Sequence, residues 1–193
     1  MTLPEKRRDH HGRRAYGRRA SRWLAGALLL AVAGTVTASM GVYQEPRDFI
    51  HEVFTGDPPE PAALWITPAL REPIEDILGH PPSKMRMRYW RRGDRTAWIV
   101  EEIGKEKPIT TGFVIEQGRI ERVKVLVFRE SRGWEVRHSF FTDQFREAAL
   151  EPDGDLDRHI DSISGATLSV SAIKRLAKLT LFLDSQVRRD GSA

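Results

Sequence analysis

Residues 111–128 read TGFVIEQGRIERVKVLVF, and their pattern decides the fold. Thr111-Gly112-Phe113-Val114-Ile115 is an extended apolar run and Glu116-Gln117-Gly118 supplies a turn. In the stretch from Arg119 to Phe128, residues Ile120, Val123, Val125 and Val127 are β-branched. Together they predict a β-hairpin. Towards the N-terminus, Met85, Met87 and Tyr89 alternate with Arg86 and Arg88. A turn at Arg92-Gly93-Asp94 then leads into Thr96-Ala97-Trp98-Ile99-Val100, so a second hairpin precedes the first. Towards the C-terminus the spacing predicts a helix over Ser139–Leu150, an acidic turn over Glu151–Asp157 and a last helix from about Ala166 to Val187. Four strands followed by helices argue for an α+β fold, a small domain whose antiparallel sheet packs against helices. The last helix places Val170, Ile173, Ala177 and Leu181 beside Leu168, Ala172, Leu176, Leu179 and Leu183, a broad apolar surface suited to covering that sheet.

Composition limits the chemistry. A chain of 193 residues holds one ordinary domain and an appendage. It contains no cysteine, which excludes disulfides, thiolate metal sites, iron–sulfur clusters and c-type haem attachment. The net charge of +4 misleads, because Lys6, Arg7, Arg8, Arg13, Arg14, Arg18, Arg19 and Arg22 crowd the first 22 residues against only Glu5 and Asp9. The remainder is slightly acidic and has no basic stripe with interleaved aromatics, so no nucleic-acid partner is expected.

The basic run ends at an uncharged stretch, Trp23 to Tyr43, close to the roughly 20 residues that a spanning helix needs. Arginines on its N-terminal side and Glu45, Asp48, Glu52, Asp57 and Glu60 on the other predict a cytosolic N-terminus and an exported remainder. A retained anchor competes with a cleaved export signal, for which Thr37 and Ser39 make a poor cleavage pattern. Arg18-Arg19 matches a twin-arginine signal only loosely. The expected organisation is thus a basic cytosolic tail (1–22), a transmembrane helix (23–43), a connector with short helices (44–83) and one domain (84–193). Within the connector, Pro68 as a start, Leu70, Ile74, Ile77 and Leu78 at helical spacing and Gly79 as a stop predict a helix.

The stretch Asp161-Ser162-Ile163-Ser164-Gly165-Ala166-Thr167-Leu168-Ser169 stands at the mouth of the last helix. Ser164 suits an N-cap, Gly165 permits close backbone approach, and the free N–H groups of a first helical turn attract anions. A phosphate bound there would lie beside the Thr167 hydroxyl. The competing reading is a capped helix whose small residues serve packing alone.

D-x-x-S-G-A-T, here Asp161, Ser164, Gly165, Ala166 and Thr167, resembles the flavinylation motif of the FMN-binding domain family. That family includes the flavin subunits of the sodium-pumping NADH:quinone oxidoreductase and of Rnf complexes. The resemblance covers roughly residues 84–187. It implies covalent FMN, attached by a flavin transferase through its phosphate to Thr167. A second family feature, a loop with a glutamate, a small hydroxyl residue, a proline and a glycine near the flavin, is matched in part by Glu130-Ser131-Arg132-Gly133, where Arg132 replaces the proline. Glu130 and Gly133 therefore join the candidate cofactor residues. Trp134, Phe140 and Phe141 are candidates either for stacking on the ring or for the core.

The resemblance implies a single-pass protein of a bacterial inner membrane with a periplasmic or extracellular flavin domain, working with redox partner proteins of a membrane complex. The alternatives are a non-flavinylated binding or assembly subunit and an enzyme with its own substrate. Against the latter, the chain has no nucleotide-binding fingerprint and no G-x-S-x-G context, and His138 and His159 have no third ligand at metal spacing.

Overall fold

The structure, a computed structural model, describes residues 41–190. The basic tail, and the apolar run up to residue 40, lie outside the described residues. Among the described residues no helix is long and apolar enough to cross a membrane.

The elements in chain order are α1 (Pro46–Val53), β1 (Ala62–Trp65), α2 (Pro68–Leu78), β2 (Arg86–Arg92), β3 (Arg95–Ile103), β4 (Pro108–Glu116), β5 (Arg119–Phe128), α3 (Ser139–Thr142) and α4 (Thr167–Asp190). All five strands form one antiparallel sheet in the order β1-β2-β3-β4-β5, so each strand pairs with its neighbours in sequence. Both expected hairpins are present. At the β4–β5 corner Glu116 pairs with Arg119, and Gln117 and Gly118 between them have φ of 52° and 80°. Two successive positive φ values in a two-residue loop match the right-handed twist of the strands, and Gly118 adopts its value without a Cβ penalty.

The fold differs from the expectation in three places. A fifth strand, β1, comes from the stretch read as connector and pairs with β2 from Ala62↔Tyr89 to Trp65↔Arg86. Four residues gave no period to read. The expected Ser139–Leu150 helix stops at Thr142 and continues as a 3₁₀ turn over Asp143–Phe145. There the backbone is drawn to the sheet: Glu147 N–H donates to Ile120 O at 2.7 Å, Ile120 N–H donates to Ala148 O at 2.8 Å, and Glu147 takes φ 63°. These bonds take backbone groups that a continuing helix would need. Third, the last helix begins at Thr167 and runs past Val187.

The sheet is covered on both faces, which explains why β4 is buried almost throughout and β5 is buried from Val125 to Phe128. On one face Trp98, Val100, Phe113, Ile115, Ile120 and Val125 meet α2 and the broad apolar side of α4. On the other, Ala97, Val114, Leu126 and Val127 meet Phe49, Ile50, Val53 and Phe54 of α1 and its end. Buried charges fasten α4 at two points. Asp184, fully buried, accepts from Thr96 Oγ1 at 2.6 Å and from Arg188 Nε at 2.7 Å, while Trp98 Nε1 donates to Thr96 Oγ1 at 3.0 Å. Arg175 Nη2 reaches the buried Glu102 at 3.2 Å.

Gly112 lies under α1. A Cβ built on it would stand 2.5 Å from Cε1 of Phe49, a fully buried ring held by its neighbours. Gly112→Ala is therefore expected to overpack this face and to cost about 1–3 kcal/mol, measurable as an earlier midpoint in chemical denaturation.

Candidate functional site

The residues at the mouth of α4 fold as a turn followed by the helix. Ala166 N–H donates to Ile163 O at 2.9 Å, which closes a turn over Ser164 and Gly165, and Gly165 takes φ 82°. The next bond, Val170 N–H to Ala166 O at 2.9 Å, is the first of the helix. Ala166 thus occupies the capping position, and Ser164, expected as the N-cap, sits on the exposed corner of the turn instead. The reason is local: Gly165 reverses the chain after Ser164 and so removes its hydroxyl from the helix end. An alanine offers no side-chain oxygen. Among the described residues nothing accepts the N–H groups of Thr167, Leu168 and Ser169, and the Thr167 hydroxyl, on an exposed residue, has no hydrogen-bond partner.

An open cleft of about 600 Å³ adjoins this mouth, lined by Gly165, Ala166, Thr167, Leu168 and Ser169 of the turn and first helical turn, by Glu130, Ser131 and Arg132, and by Lys105. Gly133 sets the distance between loop and helix. With φ 84° it lies where a Cβ would come 2.8 Å from Ser169 Oγ and 3.3 Å from Ala166 Cβ, so only glycine lets the loop rest on the helix. Glu130 ties the third wall to the second. Its Oε1 accepts the backbone N–H groups of Lys105, Glu106 and Lys107 at 2.5, 2.6 and 2.9 Å, closing the β3–β4 turn. Partial burial works to raise the Glu130 carboxyl, but the N–H groups of Lys107, Glu106 and Lys105 and the Lys105 ammonium outweigh it and hold the group below the ordinary carboxylate value.

Of the residues singled out from the sequence, the structure brings Thr167, Gly165, Ala166 and Glu130 to the cleft, with Gly133 directly behind it. Asp161 and Ser164 are not among its lining residues. Asp161 is exposed, its N–H donates to Gln144 Oε1 at 2.7 Å, and its carboxylate is 3.5 Å from His159 Nε2. Phe141 belongs to the core, edge-on to Phe145 at 5.4 Å, whereas Trp134 and Phe140 are exposed. Among the described residues no group of three or more His, Asp or Glu is placed to hold a metal ion.

Lys105, Leu168 and Ser169 are cleft residues that sequence reasoning missed. Lys105 comes from a turn some 60 positions before the motif, and only the Glu130 bonds bring it there. Arg132 has no partner among the described residues, so two cationic side chains stand beside three open amides and a free hydroxyl. An anion, above all a phosphate, suits such a place.

Residues 104–181 match the family model of the FMN-binding domain. The match takes in every residue that lines the cleft, and it supports an FMN-binding domain in this segment. No curated protein and no solved structure matches the chain.

The Glu130 geometry generates a pH prediction. Because folding lowers its pKa below the ordinary 4.5, the stabilisation it contributes is present above that value and is lost as the pH falls through the folded-state pKa. Glu130→Ala is therefore expected to lower the denaturation midpoint at pH 7. The difference from the parent protein should shrink on acidification below about pH 4, as parallel denaturation series at the two pH values would show.

Proposed function

We propose that this chain is a membrane-anchored, extracytoplasmic flavoprotein that carries FMN as a phosphoester on Thr167 and relays electrons within a membrane-associated redox chain. The observation that carries the reading is the Thr167 hydroxyl, exposed and unpartnered at a helix mouth whose first three N–H groups have no acceptor, inside a segment that matches the FMN-binding domain. The donor set fits the group. Thr167, Leu168 and Ser169 N–H would hold the phosphate oxygens, Lys105 and Arg132 would balance their charge, and the exposed Leu168 would offer an apolar surface beside them. FMN, when bound, supplies a ring that takes up and releases electrons singly or in pairs. The chain's own residues orient it and prevent its loss. A flavin transferase is the maturation partner, and redox proteins of the same membrane are the donor and acceptor.

Attachment is tested by co-expression with a flavin transferase. The denatured protein should fluoresce in a gel, Thr167→Ala should abolish the signal, and Ser164→Ala, which alters an exposed corner away from the cleft, should keep it. A fluorescent Thr167→Ala band would move the attachment elsewhere.

The topology rests on the uncharged run Trp23–Tyr43 and the arginines before it. Alkaline phosphatase fused after residue 60 should be active and a fusion at residue 15 inactive. The opposite result would reverse the orientation.

A further inference from the structure

Five exposed side chains form a continuous ridge beside the cleft. The Arg137 guanidinium lies 4.5 Å from the Tyr43 ring centroid and 5.1 Å from that of Trp134. Trp134 meets His138 edge-on at 5.5 Å, and His138 stacks on Phe140 at 6.1 Å and 17°. Tyr43, Trp134 and Phe140 remain 40%, 45% and 60% exposed, a concentration of aromatic surface that a water-facing loop does not need. Arg137 holds the one permanent charge of the ridge. An arginine between two amphipathic rings is the combination found at the headgroup level of a bilayer, where ring bodies sit among acyl chains and their polar edges, with the cation, meet phosphates.

The position of Tyr43 fixes where this ridge stands. It is the last apolar residue of the uncharged run, and it is pinned to the domain: Phe128 N–H donates to Gly41 O at 2.7 Å, Tyr43 N–H donates to Leu126 O at 2.8 Å, and Val42 pairs with Val127. No linker separates residue 40 from the sheet. Three residues reach at most about 10 Å, so if the run to residue 40 spans the bilayer, Tyr43 and the side chains joined to it are at the lipid headgroups.

We infer that the ridge Tyr43–Arg137–Trp134–His138–Phe140 docks on the membrane surface and takes anionic phospholipid headgroups at Arg137, which holds the cofactor cleft against the bilayer. The inference rests on the anchor proposed above. Gly133, one residue before Trp134, is the loop's contact with α4, so a ridge seated on lipid fixes the cleft as well.

The absence of cysteine permits a clean test with the full chain in vesicles. Single-cysteine variants Phe140→Cys and Trp65→Cys carry an environment-sensitive fluorophore; Trp65 is 63% exposed on β1, the sheet edge opposite β5. In phosphatidylcholine–phosphatidylglycerol vesicles bearing a headgroup nitroxide lipid, the label at 140 should be quenched several-fold more than the label at 65. Omitting phosphatidylglycerol, or adding Arg137→Gln, should reduce that difference. Equal quenching at the two positions, in protein that floats with the vesicles, would overturn the docking and leave the anchor standing. So would quenching at 140 that requires an added membrane extract, which would make the occupant a protein. Protein that fails to float with the vesicles would overturn both.

Discussion

Gly133 lies against Ala166 and Ser169 with no room for a side chain, and the candidate site depends on that contact. A larger residue there would lift the 130–133 loop from the first turn of α4, and with it Glu130, whose carboxylate organises the β3–β4 turn that carries Lys105. Three segments far apart in the chain thus converge through one glycine and one carboxylate. Neither residue needs to touch a cofactor to matter. Gly133 sets a distance, and Glu130, with an oxygen already accepting three N–H groups, holds a wall in place.

The rigidity of that assembly comes from α4. Its apolar side is buried on the sheet, and two polar attachments restrain its rotation and its slide. Asp184 is bonded to Thr96 and Arg188, and Arg175 is bonded to Glu102. Burial raises the Asp184 carboxyl despite the opposing Thr96 hydroxyl and Arg188 guanidinium. A charge kept in so dry a place does little for stability and much for register, because shifting the helix by one turn would carry Asp184 away from the Thr96 hydroxyl and leave it only Arg188, which moves with the same helix. The mouth of the helix therefore presents its open amides at a fixed position relative to the loop.

What was legible in the sequence had a period or a local signature. Alternation in β2, the run Thr96–Val100 in β3, the Gln117-Gly118 turn, Pro68 and Gly79 around α2, and the apolar width of α4 each follow from nearest-neighbour chemistry, and the structure has all of them. Failures came where distant groups compete. Residues 143–150 carry helical spacing, yet Ile120 offers Glu147 and Ala148 backbone bonds that no local rule anticipates. Ser164 carries a capping hydroxyl, yet Gly165 at φ 82° turns it outward and leaves the cap to alanine. Lys105 has no signal of its own, since its place in the cleft exists only through Glu130. The motif found the helix mouth; the wall opposite it had to be seen.

An uncapped mouth has a thermodynamic meaning. A serine or aspartate at the Ala166 position would satisfy one amide and stabilise the helix by about 1 kcal/mol, and its absence leaves those N–H groups free for an external acceptor. The cleft they serve is open, whereas sites that hold a small molecule by contact alone enclose most of its surface. If the domain is extracytoplasmic, as proposed, amides and two cations orient a phosphate there while contact alone leaves the cofactor open to loss by dilution. On the proposed reading, a bond at Thr167 supplies the retention and the open cleft supplies access, so that the ring can exchange electrons with a partner without any lid having to move.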